Sequence, residues 1–190
     1  MKSIVLTPTT RILSVAILLM LTLLYSNYQK NILFKYNNDG DYLILKELPK
    51  LDLVTVYDNE LITTHEIYTP DTKGVFVHLW ATWCAPCEAE LPHFIKFANS
   101  YQNKDIKFLL IAVNDDSKKI KKFLKTIPAI SANIILTMDE KGISQNQMGT
   151  VKVPETYFFN KQGKHIKKFV GPQNWGLADI QSYVNTILGK

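Results

Sequence analysis

The stretch "GVFVHLWATWCAPCEAELP", Gly74 to Pro92, holds the pattern that decides the fold. It opens with a continuous apolar run of strand length, Gly74 to Thr82, which is typical of a strand buried at the centre of a sheet. Apolar residues then recur at helical spacing from Cys84 to Tyr101, so a helix is expected directly after the strand. A buried strand that leads straight into such a helix indicates a layered α/β domain.

The rest of the chain continues this alternation of strands and helices. The sequence predicts, in chain order, two short strands around a turn at Asp58 and Asn59, a buried strand at Ile106–Asn114, a lysine-rich surface helix at Ser117–Lys125, a strand at Ala132–Met138, a short helix near Ile143–Met148, a hairpin with its turn at Asn160–Gly163 and a closing helix at Leu177–Leu188. Alternating strands and helices followed by a hairpin favour a mixed sheet flanked by helices.

Composition limits the classes of function. The 190 residues suffice for one domain with a proper core, and a hydrophobic content of 46% with 21% charged residues excludes wholesale disorder. The net charge of +5 is modest, and no arginine-rich stripe with interleaved aromatic residues is present. We therefore expect no nucleic-acid partner. With only two cysteines there is no disulfide framework, so the fold must be held by its core.

The N-terminal region predicts a membrane anchor. Residues Ile12 to Tyr25 carry no charge, although this run is shorter than the roughly 20 residues of a comfortable span. No small-residue cleavage site follows it, which favours an uncleaved signal anchor over a removed signal peptide. The predicted organisation is a transmembrane segment at 1–28, a tether at 29–50 and a domain at 51–190. We expect a single-pass protein of the cell inner membrane whose domain lies on the periplasmic (extracytoplasmic) side.

Cys84 and Cys87 are separated by two residues, and three kinds of site have this spacing. Covalent haem attachment requires a histidine directly after the second cysteine, and position 88 is Glu88. A structural zinc site requires a second pair of ligands, and the four histidines are scattered singly. A redox couple fits best, because a thiol at the start of a helix has its pKa lowered by the helix dipole and by unpaired backbone N–H groups. We expect neither a metal nor a cofactor.

Two motifs resemble those of a known family. "WATWCAPC" with Glu90 after it, and "KVPETYFF" about seventy residues later, are similar to motifs of the TlpA/ResA/DsbE group of membrane-tethered thioredoxin-like proteins. The resemblance implies a thioredoxin-like three-layer α/β fold with a central mixed β-sheet flanked by helices, an N-terminal β-hairpin and a helix–strand insertion at about Ser117–Met138. It also implies disulfide reduction outside the cytoplasmic membrane, often of apocytochrome c before haem attachment.

The resemblance also implies roles for single residues. Cys84 would attack a substrate disulfide and Cys87 would resolve the mixed disulfide, which leaves a Cys84–Cys87 disulfide. Glu90 would take up or supply the proton of the buried thiol, the alternative being a solvated surface carboxylate. Glu88 departs from the basic residue common in the family and should disfavour the Cys84 thiolate. His78 stands where the family often has Asn, either as a proton relay or as a hydrogen-bonded core histidine.

The predicted substrate-binding residues surround the cysteines. Pro154 matches the cis-proline of the family, and Val153 would then offer its backbone N–H and C=O to a partner chain. Trp83 would stay partly exposed at the docking rim, next to Ala85 and Pro86 between the cysteines.

The sequence leads to three hypotheses about function. The first is a membrane-anchored thiol–disulfide oxidoreductase that reduces protein disulfides. Its partners would be a protein substrate with a disulfide or dithiol and a membrane electron-donor thiol–disulfide carrier. The second is an oxidase or isomerase with the same residues and a higher reduction potential. The third is a non-catalytic module that senses redox state or binds a metal.

Overall fold

The computed structural model describes residue 9 and residues 14–27, 45–102, 105–127 and 129–187. The chain divides into two units, Met1–Ile44 and Leu45–Lys190. In the first unit, residues 14–27 form helix α1, whose side chains are exposed. Residues 29–44, which make up most of the predicted tether, lie outside the described residues, as does residue 28.

The predicted membrane anchor is wrong. No helix in the described part of the chain has both the length and the apolar character that crossing a bilayer requires. Within the described residues helix α1 accounts for residues 14–27, and a membrane span takes roughly 20. This finding overturns the predicted single-pass location in the inner membrane.

The second unit is built from seven strands and four helices in its described residues. Their order is β1 (Asp52–Thr55), β2 (Leu61–Thr63), a 3-10 turn (Thr64–Ile67), β3 (Gly74–Trp80), α2 (Ala85–Asn99), β4 (Ile106–Val113), α3 (Ser117–Leu124), β5 (Ile134–Asp139), α4 (Ile143–Gln147), β6 (Glu155–Asn160), β7 (His165–Val170) and α5 (Ala178–Ile187). The strands form one sheet in the order β2-β1-β5-β4-β3-β6-β7. Neighbours β3, β4 and β5 run parallel and the other pairs run antiparallel, so the sheet is mixed as the sequence predicts.

Strand β3 lies inside the sheet between β4 and β6, and all its side chains are buried. Its alternating residues supply two separate cores. Phe76 and Trp80 face a core that includes residues of α2, α3 and α5, whereas Val77 and Leu79 face a second core on the opposite side of the sheet. Strand β3 is therefore covered by a hydrophobic core on each face, as expected for a layered α/β domain.

Strand β3 ends earlier and strand β5 begins later than the sequence predicts, and side-chain hydrogen bonds lie at both of these strand ends. Strand β3 stops at Trp80 rather than Thr82, since the N–H of Thr82 donates to the carboxylate of Asp115. Strand β5 begins at Ile134 rather than Ala132. The amide of Asn133 just before it donates to the carbonyls of Ala98 and Ile106. Contacts of this kind cannot be read from local periodicity.

Candidate active site

The two cysteines stand at the start of α2, where β3 passes into the helix. Cys84 is the N-cap residue in extended conformation, and Cys87 lies in the first turn. Their sulfurs form a disulfide with the Cα atoms 5.2 Å apart, and the backbone N–H of Cys87 donates to Cys84 Sγ over 3.3 Å. Cys84 is 7% exposed and Cys87 is fully buried, so Cys84 is the sulfur that a partner can reach.

The loop before β6 lies against this disulfide. The Val153–Pro154 peptide bond is cis, and Val153 O lies 3.6 Å from Cys84 Sγ. Sulfur carries no proton in the disulfide, so this distance is a contact there; the reduced thiol would donate to the same carbonyl. Val153 is half-buried beside the more accessible sulfur.

The loop that carries Cys84 is fixed by the end of β4. The N–H of Thr82 donates to Asp115 Oδ2 over 2.5 Å, and its hydroxyl donates to Asp115 Oδ1 over 2.8 Å. The indole of Trp83 is 57% exposed and donates to the carbonyl of Asn114 over 3.0 Å. Strands β3 and β4 are parallel neighbours, so their carboxyl ends meet at one edge of the sheet and these groups come together.

Glu90 lies one turn after Cys87 and is only 4% exposed. Its Oε1 accepts hydrogen bonds from the indole N–H of Trp175 and, over 3.1 Å, from the backbone N–H of Gln173. Burial raises the pKa of this carboxyl, and the two hydrogen bonds partly oppose the increase. The burial argues against the solvated surface carboxylate that the sequence left open, and the raised pKa favours the protonated form of this carboxyl more than in an exposed glutamate.

His78 lies below the helix start, inside the core. Its Nδ1 is 2.8 Å from the hydroxyl of Thr156 on β6, and its ring stacks on Phe94 with 4.3 Å between the centroids. Complete burial lowers the pKa of the imidazole to about 3, so the ring is neutral throughout the physiological range. These surroundings favour the core histidine over a group that charges near neutral pH.

Ala85 and Pro86 are exposed in the first turn of α2. Pro86 also lines an open pocket of about 410 Å³ with Glu90 and His93 of the helix and with the segment from Pro172 to Asn174. The structure thus brings the predicted residues Cys84, Cys87, Trp83, Ala85, Pro86, Val153 and Pro154 to one end of the sheet, with Glu90 beside them and His78 beneath them.

Sequence reasoning missed the partners that hold these residues. Asp115 fixes Thr82, and Gln173 and Trp175 bind Glu90. Trp175 stands 85 positions after Glu90, and nothing in its local sequence distinguishes it from an ordinary core tryptophan. The sequence offered one indirect indication of these donors: a buried carboxylate on α2 requires hydrogen-bond donors from elsewhere in the chain.

An ion pair with a buried carboxylate follows Pro154 directly. The carboxylate of Glu155 lies 2.8 Å from the ammonium of Lys168 on β7 and accepts a hydrogen bond from the hydroxyl of Tyr157. The same oxygen lies 3.0 Å from the carbonyl of Met148 and 2.9 Å from the hydroxyl of Thr150, so the single proton of Tyr157 has Glu155 and Met148 as competing acceptors. This cluster ties the start of β6 to the residues that precede the Val153–Pro154 loop.

Comparisons with known proteins agree with this architecture. The Redoxin family model matches residues 46–187. The thiol-disulfide oxidoreductase ResA of Bacillus thuringiensis subsp. konkukian (strain 97-27) is 28% identical over 115 residues, which cover 60% of this chain and 64% of the relative. The aligned part thus spans just under two thirds of that curated relative.

Solved structures show the same fold. A thiol:disulfide interchange protein of the thioredoxin family from Chlorobium tepidum TLS superposes with a TM-score of 0.57 at 24% identity, covering 76% of this chain and 97% of that chain. StoA from Bacillus subtilis superposes with a TM-score of 0.55 at 19% identity, covering 72% of this chain and 96% of that chain. The predicted thioredoxin-like fold is confirmed.

Proposed function

Because the chain belongs to the redoxin family, we propose that it is a thiol–disulfide oxidoreductase that acts on protein disulfides through Cys84 and Cys87. The observation that supports this most strongly is the disulfide at the start of α2, whose outer sulfur lies 3.6 Å from the carbonyl of Val153 in the cis-proline loop. A sulfur so placed meets both a helix N-terminus and a backbone with which an extended partner chain can pair.

The reaction proceeds in two exchanges from the reduced dithiol. The Cys84 thiolate attacks one sulfur of the substrate disulfide, so a Cys84–substrate mixed disulfide forms and the other substrate sulfur leaves as a thiolate. Cys87 then loses its proton to the carboxylate of Glu90 and attacks Cys84 Sγ. This step forms the Cys84–Cys87 disulfide and releases the second substrate thiolate, which takes a proton from solvent. Two electrons pass from the enzyme to the substrate.

The residues around Cys84 serve the first exchange. The backbone of Val153 pairs with the segment that carries the substrate disulfide, and Pro154 presents that backbone to the sulfur. The exposed ring of Trp83, with Ala85 and Pro86, offers an apolar rim to the partner. This surface favours a protein disulfide over a small-molecule disulfide as substrate, since it extends well beyond the reacting atoms.

The direction of transfer is the finer part of the proposal. The TlpA/ResA/DsbE resemblance supports a reductase, with apocytochrome c before haem attachment as a substrate. A thiol–disulfide carrier then returns the electrons that each turnover consumes, because a reductase must be restored to its dithiol. A reduction potential near that of thioredoxin, about −270 mV, or lower supports this direction, and a far more oxidising value supports the oxidase or isomerase alternative.

The test is dithiothreitol-driven reduction of insulin disulfides by wild type, Cys84→Ala and Cys87→Ala. We expect activity from wild type and none from either variant above the uncatalysed rate. When each variant is first reduced and then mixed with insulin in the absence of dithiothreitol, only Cys87→Ala should accumulate a mixed disulfide with substrate, because it keeps the attacking sulfur and lacks the resolving one. If Cys84→Ala instead accumulates the mixed disulfide, the roles of the two cysteines are reversed. If folded wild type is inactive, the proposed enzyme is wrong and the hypothesis of a non-catalytic redox-sensing module is favoured.

A further inference from the structure

The segment from Gly171 to Trp175 connects two parts of the site. The N–H of Gly171 donates to the carbonyl of Pro154 over 3.0 Å, which attaches the segment to the cis-proline loop. Two residues later the segment turns to α2, where Gln173 N and Trp175 Nε1 both donate to Glu90. Trp175 is fully buried, with its ring against Phe94 and Phe169 at centroid distances of 4.8 and 5.2 Å.

The two oxygens of Glu90 have different surroundings. Both donors converge on Oε1, whereas Oε2 is buried and has no hydrogen-bond partner among the described residues. A proton on Oε2 therefore leaves both hydrogen bonds to Oε1 intact. When the carboxyl ionises, the same two donors stabilise the negative charge, and hydrogen bonds to a charged acceptor are stronger than those to a neutral one. The donors thus favour the carboxylate, and burial favours the acid.

We propose that Trp175 is a positioning residue for the reaction. Its indole N–H holds Oε1 of Glu90 and so sets the pH at which Oε2 takes up or releases the proton of Cys87. This inference rests on the proposed function, which makes Glu90 the proton acceptor of the buried thiol. It adds a residue that touches neither substrate nor sulfur and acts only through the carboxyl.

Three other titratable groups lie around Glu90. Cys87 precedes it on α2, His93 follows it on α2 and lines the same pocket, and His78 on β3 lies against Phe94. In the oxidised protein Cys87 carries no titratable proton, and His78 stays neutral above about pH 4 because its pKa is about 3. His93 is the remaining group, and His93→Gln serves as the control for its contribution.

The decisive comparison is between Trp175→Phe and Trp80→Phe. Both tryptophans are buried in the same core, but the indole N–H of Trp80 has no hydrogen-bond partner among the described residues. Each substitution keeps an aromatic ring, and only Trp175→Phe removes a donor to Glu90. The carboxyl carbon of Glu90, assigned with Glu90→Gln, is titrated by NMR in the oxidised full-length protein.

We expect the midpoint for Glu90 to rise by about one to two pH units in Trp175→Phe, since the carboxylate loses one charge-assisted hydrogen bond. Trp80→Phe and His93→Gln should stay within a few tenths of a pH unit of wild type. The pH profile of disulfide exchange with dithiothreitol should move with the carboxyl in Trp175→Phe. An unchanged Glu90 midpoint in folded Trp175→Phe overturns the inference.

A second measurement requires no variant. The indole ¹H–¹⁵N resonance of Trp175 in wild type should shift with pH at the same midpoint as the Glu90 carboxyl carbon. A resonance that stays constant through that titration overturns the inference, even if Trp175→Phe does not fold.

Failure of this inference can be distinguished from failure of the proposed function. If Glu90 titrates as expected but exchange shows no pH dependence on it, then the role of Glu90 in the proposed function fails while the hydrogen bond stands.

Discussion

His78 shows how its surroundings decide what one residue can do. It stands in the middle of β3, stacked on Phe94 and bonded to Thr156 through Nδ1, while its Nε2 is buried with no partner among the described residues. Charging this ring would bury a positive charge without a counter-ion, and for that reason its pKa falls to about 3. The residue therefore contributes packing and one hydrogen bond at neutral pH. In acid it lowers the stability of the fold, because the unfolded chain binds the proton that the buried ring does not.

The first prediction concerns the stability of the fold in acid. The pKa of His78 falls from 6.5 in the unfolded chain to about 3 in the fold, so the unfolded state binds its proton first. Stability from this group is complete above about pH 6.5 and is lost progressively as the pH falls towards 3. From pH 7.5 to pH 5 the loss is about 2 kcal/mol in the free energy of unfolding.

Urea denaturation of His78→Asn at both pH values measures this contribution. We expect the decrease in unfolding free energy between pH 7.5 and pH 5 to be about 2 kcal/mol smaller than in wild type. His65→Asn is the control, since it removes an exposed imidazole and should keep the wild-type decrease. Equal pH dependence in wild type and His78→Asn would mean that the buried ring does not oppose protonation.

At the scale of one element, the first turn of α2 combines opposing influences on Cys84. The helix N-terminus stabilises a thiolate at the N-cap position, and Cys87 N already donates to that sulfur. Glu88 stands in the same turn, four residues after Cys84, and adds a negative charge where the helix dipole favours one. The helix gains from this carboxylate, while the thiolate of Cys84 is opposed by it.

We therefore expect Glu88→Gln to make Cys84 more reactive. One like charge at a partly exposed helix start costs about 0.3–1 kcal/mol, which corresponds to about a two- to fivefold change in thiolate population. The rate of iodoacetamide alkylation of Cys84 at pH 6.5, in a Cys87→Ala background, should rise by that factor. Asp179→Asn, which removes a first-turn acid from α5, should leave the rate unchanged. A slower reaction in Glu88→Gln would show that the charge acts mainly by holding the helix start.

Elements were also the scale at which sequence was most informative. The seven strands and the helices α2 to α5 could be predicted from local periodicity, because the hydrophobic pattern of each element lies within its own residues. The contact of Trp175 with Glu90 and that of Asp115 with Thr82 join distant positions, and only the sheet order brings them together. The prediction of a single-pass membrane location failed for a different reason: it favoured an anchor because the run from Ile12 to Tyr25 is apolar and no cleavage site follows it, although the run is shorter than a span.

At the scale of the whole second unit, the disulfide and the start of the unit lie at opposite ends of β6. Pro154 precedes the strand beside Cys84, and the turn from Asn160 to Gly163 follows it. At this turn Leu48 N donates to Gly163 O and His165 N donates to Lys46 O, each over 2.8 Å. Leu45 and Leu48 also pack against the second core. Residues 45–48, which the sequence assigned to the tether, are therefore part of the folded unit.

Two deletions separate the fold of this unit from its chemistry. Removing residues 1–48 deletes two backbone hydrogen bonds and the packing of two half-buried leucines, so we expect the free energy of unfolding to fall by about 2–4 kcal/mol relative to a protein that lacks only residues 1–44. Chemical denaturation measures the difference. Insulin reduction, assayed well below the unfolding transition, should be equal in both proteins, because the deleted contacts lie at the far end of β6 from Cys84. Equal stabilities would mean that residues 45–48 dock without stabilising the fold, and a selective loss of activity would mean that the hairpin turn communicates with the disulfide.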